Sequence, residues 1–132
     1  MTYKFIKDPK GEIIYVSVWL DEKREFKMVL DTAASVTTFD INALRMIYYP
    51  IGNSIETGQV ETANGIVEVD IIKTNVISAF GHTVRDMKVQ IYDFLVHGII
   101  SDYDGLLGLD FFEDTEFTIN MKNQTIEVKK CV

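Results

Sequence analysis

Cysteine is nearly absent from this chain. Cys131 is its single instance in 132 residues, so no intramolecular disulfide can form and cysteine usage points to no oxidising compartment. Its place next to the C-terminus is also a poor one for a nucleophile, because a catalytic thiol needs an activating microenvironment. Histidine is scarce too. His82 and His97 each adjoin a glycine, with no cysteine or carboxylate at ligand spacing, so they read as turn or surface residues and no metal site is expected. Long apolar runs are missing: no window approaches the ~18 residues that suggest a membrane span. Lys4, Lys7, Asp8 and Lys10 break up the N-terminal stretch where a signal peptide would be apolar. The expectation is a cytoplasmic protein with no membrane partner. Positive charge is short as well. Lys and Arg number 13 against 20 Asp and Glu, a formal charge of -7, which argues against nucleic acid as a partner. The glycines make no phosphate loop, since no Gly-Lys-Ser/Thr follows them. Asp102-Tyr103-Asp104-Gly105 fails the calcium-loop pattern, because the flanking positions hold Ile100 and Asp110, and it reads as a polar loop instead.

What remains is a chain able to build a core. Hydrophobic residues make up 47% and charged residues 25%, as in an ordinary globular protein, and the length suits a single domain over residues 1–132. The pattern is mostly strand. Ile13 to Leu20 (IIYVSVWL) and Glu25 to Leu30 (EFKMVL) flank the charged turn Asp21-Glu22-Lys23-Arg24, which predicts a hairpin. Thr37 to Phe39 is a short β-prone piece. Asp40 reads as the N-cap of a helix with Ile41, Leu44 and Ile47 on one face, stopped by Pro50 and Gly52. Thr57 to Thr62 and Ile66 to Ile72 surround Ala63-Asn64-Gly65, a strong hairpin signal because Asn and Gly tolerate positive φ. Strand is predicted to continue from Val69 to Phe80, to turn at Gly81-His82, and to run from Thr83 to Tyr92. Thr115 to Asn120 and Thr125 to Lys129 close the chain as a pair. Short strands with one or two short helices predict an all-β, closed or partly closed barrel, and the closed form is the one expected here.

The chemistry-bearing segment is Met28-Val29-Leu30-Asp31-Thr32-Ala33-Ala34-Ser35. An apolar strand delivers a carboxylate at its end, where burial is costly unless the group is hydrogen-bonded or paired. Taken alone, Asp31 could simply end the strand and cap a turn with Thr32. A second segment, Asp104 to Phe112 (DGLLGLDFF), is an apolar strand, a glycine and an apolar helical turn. In that order the two segments resemble the retropepsin-like aspartic peptidases. Asp31 to Ser35 fills the family's Asp-Thr-Gly-Ala-Ser type loop, and Leu106-Leu107-Gly108 fills its apolar-apolar-Gly segment. Residues 12 to 129 share the resemblance, which looks closest to the family's bacterial branch.

The resemblance implies a retropepsin-like fold, polypeptide as substrate and no cofactor. It implies Asp31 as the catalytic carboxylate, Thr32, Ala33, Ala34 and Ser35 as the active-site loop, and Ala63, Asn64 and Gly65 as a substrate-binding flap. Leu106, Leu107 and Gly108 would support the site. Such enzymes place two carboxylates about 3 Å apart, sharing one proton, to activate a water. This chain has one motif, so the resemblance implies a homodimer whose two Asp31 side chains meet on the axis, with Thr32 bracing the loops. Ala33 departs from the family's usual glycine. At positive φ an alanine would cost roughly 1 kcal/mol, and its methyl could narrow the cleft. The alternative is therefore a weak or inactive retropepsin-like module that dimerises or binds peptides. A third reading is an unrelated β-barrel carrier.

Overall fold

The computed structural model describes residues 1–51, 56–62, 65–99 and 101–131, except the side chain of Thr62. The elements in chain order are β1 (Thr2–Lys4), β2 (Ile6–Lys7), β3 (Ile14–Leu20), β4 (Arg24–Leu30), β5 (Thr38–Asp40), α1 (Ile41–Met46), β6 (Glu56–Thr62) and β7 (Gly65–Lys73). They continue with β8 (Val76–Ala79), β9 (His82–Arg85), β10 (Lys88–Tyr92), β11 (Gly105–Leu107), a 3-10 turn (Leu109–Phe112), β12 (Thr115–Asn120) and β13 (Thr125–Lys130). The fold is all-β with one short helix and that turn among the described residues.

The first hairpin forms as its alternation predicts. Val16, Val18 and Leu20 of β3 and Phe26, Met28 and Leu30 of β4 are buried, while Ser17, Trp19, Glu25 and Lys27 face outward. Asp21 and Glu22 both take left-handed φ, 54° and 60°, and Lys23 N donates to Leu20 O at 3.1 Å. Such a turn matches the right-handed twist of the strands it joins. The second hairpin differs from expectation. β7 to β8 is not one strand, and neither is β9 to β10. Thr74 is buried, and its backbone N–H and hydroxyl both donate to Met87 O at 2.9 Å. Facing it, Asp86 has φ 57° and donates its N–H to Asn75 O. The two breaks lie opposite each other, so one long hairpin bends at a shared corner and turns back at Phe80-Gly81, where φ is 55° and 72°. His82 starts β9 and is not part of the turn.

The helix follows its cap. Asp40 accepts from Asn42 N at 3.2 Å, and Leu44 is buried in the core. It ends at Met46, earlier than Pro50 would require, because Tyr48 adopts φ 57°. Gly52 lies outside the described residues. No helix among the described residues is long and apolar enough to cross a membrane.

Two sheets result. The smaller has the order β1-β13-β12. The larger runs β6-β7-β10-β5-β11-β4-β3-β8-β9, with β2 also on β3. Its path leaves one half of the bent hairpin and returns to the other half, so the sheet curls around the core. No ladder closes it among the described residues, and the predicted closed barrel is corrected to a curled open sheet. Its end strands, β6 and β9, do not pair with each other among the described residues. Phe39, Leu44, Ile77, Val89, Leu107, Phe111 and Ile126 fill the interior.

Three-residue β11 is the strand that positions the site. It pairs in parallel with β4 (Leu107 with Leu30) and antiparallel with β5 (Gly105 with Phe39). Gly105 is there for space. A Cβ on it would run into the carbonyl oxygen of Thr38 and lie 3.0 Å from Phe39 Cα and 3.1 Å from Met28 Cε. Gly105→Ala is expected to lower stability by about 1–3 kcal/mol, the range for overpacking. Urea unfolding measures this, and an unchanged midpoint would contradict the tight crossing.

His82 was expected at the surface or in a turn. It is half-buried, with its ring edge-on to Phe111 at 5.1 Å and its Nε2 buried without a partner. Burial pushes the imidazole below its ordinary pKa of 6.5, the nearby Lys130 charge works the same way, and a hydrogen bond to the Phe111 backbone opposes both. The unfolded chain therefore takes up this proton first. The His82 contribution to stability is intact above about pH 6.5, and is lost as pH falls from there to the lower folded-state value. Wild type is expected to lose urea midpoint relative to His82→Gln between about pH 7.5 and pH 5, and parallel curves would refute the assignment.

Candidate active site

Strand β4 carries Asp31 to the site. Its buried Met28 and Leu30 anchor the strand, and Asp31 N donates to Leu107 O at 3.0 Å. The chain then turns: Ala34 N donates to Asp31 O at 3.1 Å, and Ala33 N donates to the Asp31 carboxylate Oδ1 at 3.0 Å. Asp31 thus does cap the turn, as the plain reading of its sequence allowed. Capping uses one carboxylate oxygen, and Oδ2 accepts from no group among the described residues. Thr32, Ala33 and Ser35 are exposed and Ala34 is half-buried.

The Leu106-Leu107-Gly108 segment meets this loop from the other side. Leu109 N donates to Ala34 O at 2.8 Å. A Cβ on Gly108 would stand 2.8 Å from Ala34 O and 2.9 Å from the Val36 carbonyl carbon, closer than real Cβ atoms come. Glycine at 108 is what lets the two segments touch.

Sequence reasoning missed the group that locks them. Thr37 is fully buried. Its hydroxyl donates to Asp110 Oδ1 at 2.7 Å and its N–H to Asp110 Oδ2 at 2.9 Å. The same hydroxyl accepts from Gly108 N at 3.1 Å. Every polar atom of Thr37 beneath the loop is therefore used, as burial demands. Thr37 and Asp110 looked ordinary in sequence because their partnership spans 73 residues. The one available signal was position, since each lies just beyond a motif already singled out.

An open cleft of about 440 Å³ lies over Asp31. Ala33 to Val36 form one side, Gln59, Val60 and Glu61 of β6 another, with Thr38, Gln90 and Leu106 between. Gln90 was not anticipated. It reaches the cleft from β10, and its Oε1 accepts from Thr38 Oγ1 at 3.2 Å. Ala33 is not among the described non-glycine residues with positive φ, so its backbone carries no left-handed strain. Of the expected flap, Gly65 opens β7 at φ 116° and pairs with Thr62. Ala63 and Asn64 lie outside the described residues.

The polar loop predicted before β11 is tied to β4. Asp104 accepts from Lys27 N at 2.9 Å and its own N–H donates to Lys27 O. Its carboxyl is pushed up in pKa, chiefly by burial. Asp102 binds Lys27 Nζ at 3.0 Å and accepts from the Tyr15 hydroxyl at 3.2 Å. The Tyr103 hydroxyl is pushed up in pKa by burial, then by the charges of Asp102 and Asp31. Among the described residues no three His, Cys, Asp or Glu side chains gather to hold a metal ion.

Comparison with known proteins follows the same outline. A sequence model of the aspartyl protease family matches residues 16–111, from β3 through Phe111, taking in both Asp31 and Gly108. No curated protein matches this chain by sequence. Among solved structures, a retropepsin-like aspartic protease from Rickettsia conorii is similar with a TM-score of 0.71, over 97% of this chain and 90% of that one, at 19% identity. At that identity the likeness speaks for the fold. The matched span carries the whole Asp31 loop, and on it the chain belongs to the aspartyl protease family, in a retropepsin-like fold.

Proposed function

We propose that this chain is one half of a homodimeric aspartic endopeptidase, with Asp31 from each copy forming the catalytic pair. The observation that carries the reading is the Asp31 carboxylate itself. It stands at the end of β4 beside an open cleft, held through Oδ1 by Ala33 N and with no partner at Oδ2 among the described residues. Exposed groups beside it favour a partner copy. The Thr32 hydroxyl has no partner among the described residues, and Leu109, whose N–H ties it to Ala34, is 44% exposed. Both are the kind of group that a second subunit would cover.

On this reading the pair shares one proton. The ionised member takes a proton from a water while the protonated member gives its proton to the scissile carbonyl oxygen. Water adds to the carbonyl carbon, and collapse of the tetrahedral intermediate expels the amine with a proton from the pair. No acyl-enzyme forms, and no cofactor is required. Asp31→Asn is expected to reduce cleavage of a peptide library at acid pH by at least about a thousandfold, since the pair loses its base. Sedimentation should still show a dimer. Retained cleavage in Asp31→Asn, or a monomer that cleaves at full rate, would sink the proposal.

The second reading, a binding module with little hydrolysis, has Ala33 as its motive. The Ala33 methyl lines the cleft where the family's usual residue has none. Its backbone, however, has no left-handed φ that glycine would relieve. Ala33→Gly is therefore expected to lower stability by about 0.4–1 kcal/mol through added unfolded-chain entropy, and to change kcat/KM by less than about tenfold. Thermal unfolding and steady-state kinetics check the two halves. A gain of several hundredfold would instead show that the methyl obstructs the site.

A further inference from the structure

We infer that the Asp31 cleft selects peptides bearing a lysine or arginine side chain near the scissile bond, and that Glu61 is the residue that selects them. This deepens the peptidase reading and rests on it for the word scissile, but the side-chain preference is a property of the cleft alone.

Three observations support it. The first is uncompensated charge. Two acidic residues, Asp31 and Glu61, line the cleft, and no lysine or arginine does so among the described residues. Glu56, on the same strand, is already held by Lys88 at 3.0 Å. Glu61 has no such cation within ion-pair distance among the described residues. An acidic side chain at a cleft wall, with no protein cation to neutralise it, favours a cation on the ligand.

The second is shape and polarity. Val36, Val60 and Leu106 give the cleft an apolar lining, and Glu61 lines the same cleft. Lysine and arginine match that combination, since they lay an aliphatic stem along apolar surface and keep the charge at its edge. A leucine would use the apolar lining and leave the carboxylate unpaired. A glutamate would meet like charge.

The third is Gln90. In the structure its Oε1 accepts from the Thr38 hydroxyl at 3.2 Å. Its Nε2 then carries two donor hydrogens that no described residue accepts, at the cleft wall. Those donors suit a carbonyl oxygen of an extended peptide. They hold the main chain and leave the choice of side chain to Glu61.

The test uses full-length Asp31→Asn protein, so that peptides bind without being cut. Three fluorescent peptides differ at one position, holding Lys, Leu or Glu, and anisotropy gives their affinities at about pH 6, where an ordinary glutamate is ionised. The lysine peptide is expected to bind about tenfold tighter than the leucine peptide, the low end for a close charge pair. The preference should shrink as salt is raised. Adding Glu61→Gln should abolish it, and Glu61→Lys should turn it towards the glutamate peptide, with circular dichroism confirming that both fold. Equal affinities for the lysine and leucine peptides, no binding of either, or a lysine preference that survives Glu61→Gln would overturn the inference. Hydrolysis by the wild-type chain is scored separately. Cation-selective binding without any hydrolysis would overturn the peptidase reading and leave this one standing, whereas hydrolysis with no lysine preference would do the reverse.

Discussion

The fully buried Thr37 hydroxyl, donating to Asp110 and accepting from Gly108 N, is the interaction on which the site depends. Strand β11 passes between β4 and β5, so residues 31–37 must loop around its end to get from one neighbour to the other. A loop of this kind has few ladder bonds of its own. Without an internal anchor, the entropy of its backbone would oppose any single arrangement of Asp31. Thr37 supplies that anchor from below, and the Leu109-to-Ala34 bond supplies it from the side. Both anchors join the loop to the segment that follows β11. The carboxylate is thus held by a distant part of the chain and not by its own neighbours alone, a common way of making a reactive group rigid.

Much of this was legible in the residues. The first hairpin follows from alternation, and the helix from Asp40 as a cap. Asp31 and Gly108 are legible because their chemistry is unusual for their place: a carboxylate at the end of an apolar strand, and a glycine between leucines. The rest was hidden for physical reasons. The break at Thr74 and Asp86 depends on two chain segments bending together, and each alone still alternates like a strand. His82 beside Gly81 looks like a turn residue, and only the packing of Phe111 against it shows that it is half-buried. Gln90 reaches the cleft because β10 lies parallel to β5, with Gln90 opposite Thr38. That register is tertiary information. The closed barrel was expected from many short strands, yet closure is set by how ladders end, which strand counts do not specify.

Ala33 shows how a departure from a motif can be weighed physically. Its possible costs were two, backbone strain and lost space. The first vanishes with its φ outside the left-handed region, because the turn that holds the Asp31 carboxylate is built on Ala33 N and Ala34 N, and neither bond needs a glycine. The second remains as one methyl at the mouth of the cleft. The substitution therefore bears on the shape of the cleft, more than on whether the loop can form.

Charge at the site follows from where the cations are placed, not from the excess of acids over bases alone. Lys27, on β4, is tied to Asp102 and lies over the Tyr15 ring at 4.2 Å. Lys88, on the strand next to the cleft, is tied to Glu56. Both cations are thus engaged in ion pairs, and among the described residues the lining holds only acids and neutral groups. A cation beside a carboxylate lowers its affinity for a proton and blunts it as a base. A site meant to take a proton from water is better without one. The same absence leaves Glu61 without a protein partner. Keeping Lys and Arg out of the cleft therefore serves both the proposed chemistry at Asp31 and the proposed selection at Glu61, and a cation supplied by the substrate would enter a place the protein itself leaves open.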